Sequence, residues 1–376
     1  NFSKFQNRNF LIQKFLKIDR NENQSEIILG NKKIFIEEDC LITYNESEYN
    51  NNLRKPENFD FLITEEGKKY KKILFYYFAY GKNYGFGIGR DPFACCKEKR
   101  CFMTDNKDKI PHEEFDAVII HFKGLKKKNL PKKRSRHQRY IFYESEPPPM
   151  SGGYPQNFEG IFNWTLTYRR DSDILFGYGT IYNKKIFTHN DIGQVLYSST
   201  LQSVMKTKNK LVAWSVDIYG KCGEIKCPRK DELKCRAKYE REYKFYLSFE
   251  NNFCKDYITE KFFLPFSYYI VPIVRGSGDY ASIAPPHSYI NVNDFKSVKD
   301  LADYLIYLDR NDTAYMEYFN YKKDYVVLNK LTRLYLANPY CSLCEKLHND
   351  KTEKVHNNLA QWFKEEAQCN KDLGNF

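Results

Sequence analysis

The stretch Phe245-Tyr246-Leu247-Ser248-Phe249-Glu250-Asn251 is a strand-like run that ends on polar residues, and Asp256-Tyr257-Ile258-Thr259-Glu260-Lys261 follows as the opening of a helix. In an open parallel sheet, ligands bind where strands end and helices begin, because unpaired helix N–H groups and the helix dipole favour phosphate there. Lys261 then suits a diphosphate and Glu260 suits ribose hydroxyls. The plainer alternative is an ordinary capped helix carrying a surface Glu-Lys pair. Asp171-Ser172-Asp173 invites a manganese reading, but a hard metal wants several oxygen ligands and one Asp-x-Asp is a weak pattern. Cys341-Ser342-Leu343-Cys344 could be half of a zinc site, with Cys222 and Cys227 as the other half. Zinc ribbons keep their halves roughly fifteen to twenty residues apart, and here the gap exceeds a hundred, which favours disulfides. Gly276-Ser277-Gly278 reads as a turn that could approach phosphate or sugar.

The elements that must position these groups are those of an α/β protein. At 376 residues the chain suits two domains, and 42% hydrophobic residues supply apolar surface for two cores. A formal charge of +12 favours anionic partners without choosing among nucleic acid, membrane surface and small phosphate-bearing ligands. The basic run 123–139 is the best argument for nucleic acid, yet no nucleic-acid signature accompanies it. No stretch has the length of a membrane span, and the start, Asn1-Phe2-Ser3-Lys4, is not a signal peptide. Eleven cysteines in local clusters resemble disulfide-stapled loops and point to an oxidising lumen, with one thiol left over. Sequons at Asn1, Asn23, Asn45, Asn163 and Asn311 agree, Asn163 lying in an apolar stretch that favours burial.

Along the chain, residues 1–70 read as a stem with first short strands. Candidate strands follow at 73–80, 116–122, 140–143, 211–216, 244–249, 270–274 and 288–292. A helix over 297–308 carries Val298, Leu301, Ala302 and Leu305 on one face, with Ser297 as its cap. Strand and helix in alternation mean largely parallel sheets. The polar run 206–210 marks a boundary, and the tail from Lys351 ends in a helix around 360–367 packed on the body.

Phe162-Asn163-Trp164-Thr165-Leu166-Thr167-Tyr168-Arg169-Arg170-Asp171-Ser172-Asp173-Ile174 is dense in groups able to grip a charged sugar nucleotide. Together with the two motifs around Glu250 and Lys261, and with Ala284-Pro285-Pro286-His287-Ser288-Tyr289-Ile290, it closely resembles the animal α1,3-fucosyltransferase family, from about Ile73 to His348. The resemblance implies a GT-B fold of two Rossmann-like domains facing a cleft. It places an N-terminal acceptor domain at 71–205, a C-terminal GDP-fucose domain at 206–345 and a tail at 346–376. It implies an inverting transfer of L-fucose from GDP-fucose to the 3-OH of an N-acetylglucosamine, in an N-glycan core or a lactosamine-type unit. The family's base is a glutamate in a Glu-Ser-Pro-like element, matched here by Phe142-Tyr143-Glu144-Ser145-Glu146-Pro147. Glu144 is therefore the expected base. Glu146, where the family often has proline, is its rival.

On the same resemblance the donor is held by Tyr168, Arg169, Arg170, Glu250, Asn251, Tyr257, Glu260 and Lys261, with Tyr257 a hydrogen-bond donor. The arginines could instead be structural partners of Asp171 and Asp173. No obligatory metal is expected, manganese or magnesium acting at most as a stimulant. The partners implied are GDP-fucose and a glycoprotein glycan, with no nucleic acid, and the basic run would rim the acceptor site. A type II membrane anchor upstream of Asn1 and a Golgi lumen location follow from the family, with secretion after cleavage. One departure stands out: Val212-Ala213-Trp214-Ser215 runs almost directly into Val216-Asp217-Ile218-Tyr219-Gly220-Lys221-Cys222, where relatives interpose a helical stretch with an Arg that helps hold the diphosphate. That leaves a transferase-like glycan-binding module without turnover as the second reading.

Overall fold

The computed structural model describes residues 57–78, 87–186, 200–213, 232–329 and 338–370. All lie in one compact unit, Ile34–Phe376. Cys40, Cys222, Cys227, the sequons at Asn1, Asn23 and Asn45, and the departure after Trp214 lie outside the described residues.

The first sheet has six strands: β1 (Lys71–Tyr77), β2 (Cys101–Thr104), β3 (Ala117–His121), β4 (Arg139–Glu144), β5 (Trp164–Thr167) and β6 (Ile174–Leu175). Their order is β2-β1-β3-β4-β5-β6, and every pairing is parallel. The sequence explains the middle of this sheet: β3 and β4 are near-continuous apolar runs, as strands covered on both faces must be. One face packs Ile73, Ile119, Ile141 and Trp164 against Tyr340, Leu343 and Leu347 of the helix Pro339–Asn349. The other packs Leu74, Ile120, Phe122 and Phe142 against Leu359 and Phe363 of the tail. Each such side chain contributes roughly 1.5–3 kcal/mol by leaving water.

A second parallel sheet has the order β11-β10-β9-β8, formed by β8 (Lys210–Ala213), β9 (Tyr243–Phe249), β10 (Val271–Arg275) and β11 (Ile290–Asn291). The helix Val298–Arg310 covers it with Leu301, Leu305 and Leu308, and the Ser297 side chain accepts the Asp300 N–H as its cap. A third pair, β7 (Gly179–Asn183) with β12 (Tyr325–Asn329), is antiparallel. Two parallel sheets with helical cover agree with the α/β, Rossmann-like architecture expected above.

The C-terminal part differs from the sequence reading in two ways. Residues 338–345, assigned above to the second half, pack on the first sheet. Among the described residues, cysteines of one cluster pair with distant ones: Cys96 joins Cys341 and Cys101 joins Cys344, across 245 and 243 residues. Cys254 joins Cys369, and Cys95 is also disulfide-bonded. The Cys-x-x-Cys spacing puts both sulfurs on one helix face, so the helix is bolted to β2 and the turn Asp91–Phe93 that precedes it. The tail closes in a helical stretch over 359–365, wide at Gln361–Glu365, where the sequence predicts a helix around 360–367.

Asn163 is buried, accepting the Tyr140 N–H at 2.8 Å and donating to the Lys354 carbonyl at 2.8 Å, so its amide is structural. Replacing Cys341 or Cys344 with serine should lower the unfolding free energy by roughly 2–5 kcal/mol, because each bridge closes a very long loop. Chemical denaturation reads this, and a reductant should destabilise the unaltered chain further than either single change.

Candidate active site

Both sheets are parallel, so their carboxyl ends are where loops can converge on a ligand. Glu144 is the last residue of β4 and has no exposed surface. Its Oε1 accepts the Glu146 N–H at 3.0 Å and lies 3.4 Å from Nε2 of His121, the last residue of β3. Its Oε2 has no hydrogen-bond partner among the described residues. A buried carboxylate oxygen left in this way carries a desolvation cost that a reacting hydroxyl would relieve.

Glu146, two residues on, reaches the second sheet: the Tyr257 hydroxyl donates to its Oε2 at 3.0 Å. Burial first, then the charge of Glu146, raises the Tyr257 pKa, so the phenol keeps its proton and remains a donor. Beside it the Tyr178 hydroxyl donates to the Ser145 carbonyl at 2.7 Å. Tyr168 packs its ring against Tyr257, centroids 5.0 Å apart, and its buried hydroxyl has no partner among the described residues.

Glu250 follows β9 directly and is buried, with Oε1 and Oε2 accepting the Thr259 N–H (2.7 Å) and hydroxyl (2.8 Å). Thr259 also caps the short helix Glu260–Phe263. The Lys261 ammonium sits 3.6 Å from Glu250 and 3.5 Å from Glu260. Burial opposes its charge, yet Glu260, Glu250 and Glu146 together outweigh that and raise the Lys261 pKa. Burial pushes Glu250 up to about 7, against the pull of Lys261 and Thr259. Several carboxylates thus share one ammonium, and the most buried retains its proton most readily. Gly276 and Gly278 let the loop after β10 lie close: a Cβ would come within 2.5 Å of the Tyr280 hydroxyl at the first and 2.1 Å of Ile258 at the second. Their role is close packing beside Glu250.

The two arginines part company. Arg169 is fully buried, pairing through Nε with Asp171 at 2.8 Å, donating from Nη1 to the Trp362 carbonyl and lying over the Trp362 ring. This is the structural alternative, in which Arg169 fixes the tail. Arg170 is exposed; its N–H donates to Asp256 at 3.2 Å, and its guanidinium donates to the Asp279 carbonyl and the Ser282 hydroxyl. Asp173 accepts from His356 at 3.0 Å and Lys354 at 2.6 Å, so the two carboxylates of the Asp-x-Asp serve different partners. Asn251 is exposed at the end of β9.

Glu144, Glu146, Tyr168, Tyr257, Glu250, Glu260 and Lys261 are therefore brought to the region where the two sheets meet. His121, Tyr178 and Thr259 join them without having been singled out in the sequence. A histidine inside the apolar run 116–122 is the one signal that could have found His121. The basic run lies differently from expectation. It leads from the carboxyl end of β3 back to the amino end of β4, and Arg134 is drawn under the Tyr140 ring and bonded to Asn163. Only its first residues can border Glu144.

Two family profiles match this chain: "Glycosyltransferase family 10 (fucosyltransferase) C-term" over residues 196–362 and "Fucosyltransferase, N-terminal" over residues 68–179. Alpha-(1,3)-fucosyltransferase C of Drosophila melanogaster is 31% identical over 313 residues, covering 71% of this chain and 70% of the relative. Glycoprotein 3-alpha-L-fucosyltransferase A of the same organism is 33% identical over 317 residues, covering 75% of this chain and 58% of the relative. 4-galactosyl-N-acetylglucosaminide 3-alpha-L-fucosyltransferase 9 of Rattus norvegicus is 32% identical over 289 residues, covering 70% and 74%. A crystal structure of an alpha1,3-fucosyltransferase is similar at a TM-score of 0.45 and 17% identity, covering 76% of this chain and 92% of that one.

Arg169→Lys should lower the unfolding free energy by about 3 kcal/mol, since a buried fork loses its partners, while Arg170→Lys should cost under about 1 kcal/mol. Denaturant titration of the two variants compares them. Glu250 gives a pH signature. Its folded carboxyl keeps a proton up to about 7 where the unfolded one loses it near 4.5, so stability falls as pH rises through that window. The fall should be at most roughly 3 kcal/mol, and Glu250→Gln should flatten it when denaturation is followed across the window.

Proposed function

The chain belongs to glycosyltransferase family 10, the fucosyltransferases, and from that premise we propose an inverting α1,3-fucosyltransferase that uses GDP-fucose and takes Glu144 as its base. The observation that carries the assignment is the buried, unpartnered Oε2 of Glu144 at the end of one parallel sheet, two residues before Glu146, which accepts from Tyr257 of the other half.

The chemistry is a single displacement. The acceptor 3-OH oxygen attacks the anomeric carbon of fucose and passes its proton to Glu144 Oε2, while the bond to the diphosphate breaks and GDP leaves with the electron pair. A β-linked donor gives an α-linked product. Lys261 supplies the fixed charge that the departing diphosphate needs. Without a ligand its ammonium is balanced by Glu250 and Glu260, so diphosphate binding replaces carboxylate partners with phosphate ones. Tyr257 and Tyr168 line the same region, and Glu260, Asn251 and Arg170 offer polar contacts at its rim. Glu146 is the weaker candidate for base, because the Tyr257 hydroxyl already holds its Oε2. No obligatory metal is proposed: Asp171 and Asp173 are engaged by Arg169, Lys354 and His356.

For the acceptor we infer an N-acetylglucosamine of a glycoprotein glycan, either in the N-glycan core or in a lactosamine-type unit; one relative is named for a glycoprotein and another for a 4-galactosyl-N-acetylglucosaminide. Three long-range disulfides support folding in an oxidising lumen such as the Golgi. A glycan-binding module without turnover is the competing reading.

The test is GDP release from GDP-fucose with a panel of N-glycan-core and lactosamine-type acceptors. Acceptor-dependent turnover is expected, and it should persist in EDTA. It should fall at least about a thousandfold in Glu144→Gln and persist in Glu146→Gln; Lys261→Ala should lose donor affinity and rate together. Silence across the panel with no GDP-fucose binding would sink the transferase reading in favour of the binding module.

A further inference from the structure

We propose that His121 is a positioning residue for the base: it holds Oε1 of Glu144 so that Oε2 alone faces the acceptor hydroxyl. This rests on the reading of Glu144 as base. β3 and β4 are parallel neighbours with His121 in register with Tyr143, and Glu144, the next residue of β4, brings its Oε1 to 3.4 Å from the imidazole Nε2 at the carboxyl end of the sheet. Both side chains are buried. The ring is clamped: Phe78 stacks on it with centroids 5.1 Å apart and Tyr143 lies against it at 5.0 Å. Two aromatic rings fix the position of the imidazole, and its Nε2 faces Oε1 without making a hydrogen bond of ordinary geometry to it.

The two oxygens of the carboxylate are thereby made unequal. Oε1 receives the Glu146 N–H and faces Nε2, while Oε2 has no partner among the described residues. A freely turning carboxylate would present either oxygen in several orientations. With Oε1 held, the lone pairs of Oε2 point one way, and the acceptor proton has one destination. The contact is longer than a well-formed hydrogen bond, and active-site contacts of this kind tighten when substrate binds. With its proton on Nε2, the imidazole donates to Oε1 throughout the transfer and gains or loses no atom in the reaction.

The experiment uses the whole chain with GDP-fucose and its best acceptor. His121→Phe keeps a ring between Phe78 and Tyr143 but removes the N–H; His121→Gln keeps an N–H donor at similar reach. The expected result is a fall in kcat of about 10- to 100-fold in His121→Phe, with KM for GDP-fucose unchanged and most of kcat restored in His121→Gln. In a Glu144→Gln background, His121→Phe should have no further effect, because a residue acting through the base has nothing left to act on. Wild-type kcat in His121→Phe would overturn the proposal, and so would an equal loss in His121→Gln. If His121→Phe does not fold, His121→Met asks the same question, and failure of both to give a folded, GDP-fucose-binding chain would assign His121 a purely structural role. Full turnover in Glu144→Gln would instead remove the base itself, an outcome separate from every result at His121.

Discussion

A guanidinium with no exposed surface must find partners for its charge and its N–H groups, and Arg169 finds them in Asp171 and the Trp362 carbonyl. Much of the first sheet follows from that demand. Loss of Trp362 would leave the Arg169 Nη1 buried without its acceptor, so the tail is held across the sheet, and Phe363 stays against Phe142 and Phe122. Phe142 lies two residues before Glu144 on β4. The neighbouring position, Arg170, faces the other way and bonds to Asp256, Asp279 and Ser282 on the loops of the second sheet. Two adjacent arginines at the end of one short strand thus fix the tail on one side and the second sheet on the other.

Side chains from both sheets complete the junction. Tyr257 to Glu146 and Tyr178 to Ser145 are hydrogen bonds of 3.0 Å and 2.7 Å from residues beyond β6 to the loop after β4. Hydroxyl donors and carboxylate or carbonyl acceptors suit such a seam, because a displaced bond can be replaced by water or ligand at small net cost. The electrostatics are less forgiving. Lys261 among Glu250, Glu260 and Glu146 is a cation already matched to anions, and Glu250, pushed up to about 7, is the carboxyl best able to answer a change there by changing protonation.

The sequence was informative where periodicity and chemistry coincide. The apolar runs of β3, β4 and β10 announced buried parallel strands, and Ser297 announced the cap of its helix. The Tyr-Arg-Arg and Thr-Glu-Lys motifs announced polar groups at strand ends. It was silent where the cause lies far along the chain. β2, β5 and β6 are two to four residues long and gain their strand character from neighbours in the sheet. Nothing local at Cys341 points to Cys96, and nothing local at Arg169 points to Trp362. Division of labour between the arginines is a matter of which side of a short strand each faces, and motif spacing does not encode it.

The departure after Trp214 acquires a sharper meaning on this fold. β8 and β9 are parallel neighbours, so the chain between Ala213 and Tyr243 must return to the amino end of the sheet, which takes a dozen residues or more and usually a helix. Residues 214–242 are enough for that return, and the helix Glu232–Glu242 already leads into β9. A shorter connection therefore leaves the sheet topology complete and touches only what the missing stretch would have contributed to the ligand. Glu144 belongs to the other sheet and Lys261 follows β9, so neither depends on it for its place. Any effect of the departure on the proposed donor site should then be confined to what that stretch would touch, while Glu144 and Lys261 remain where the two sheets put them.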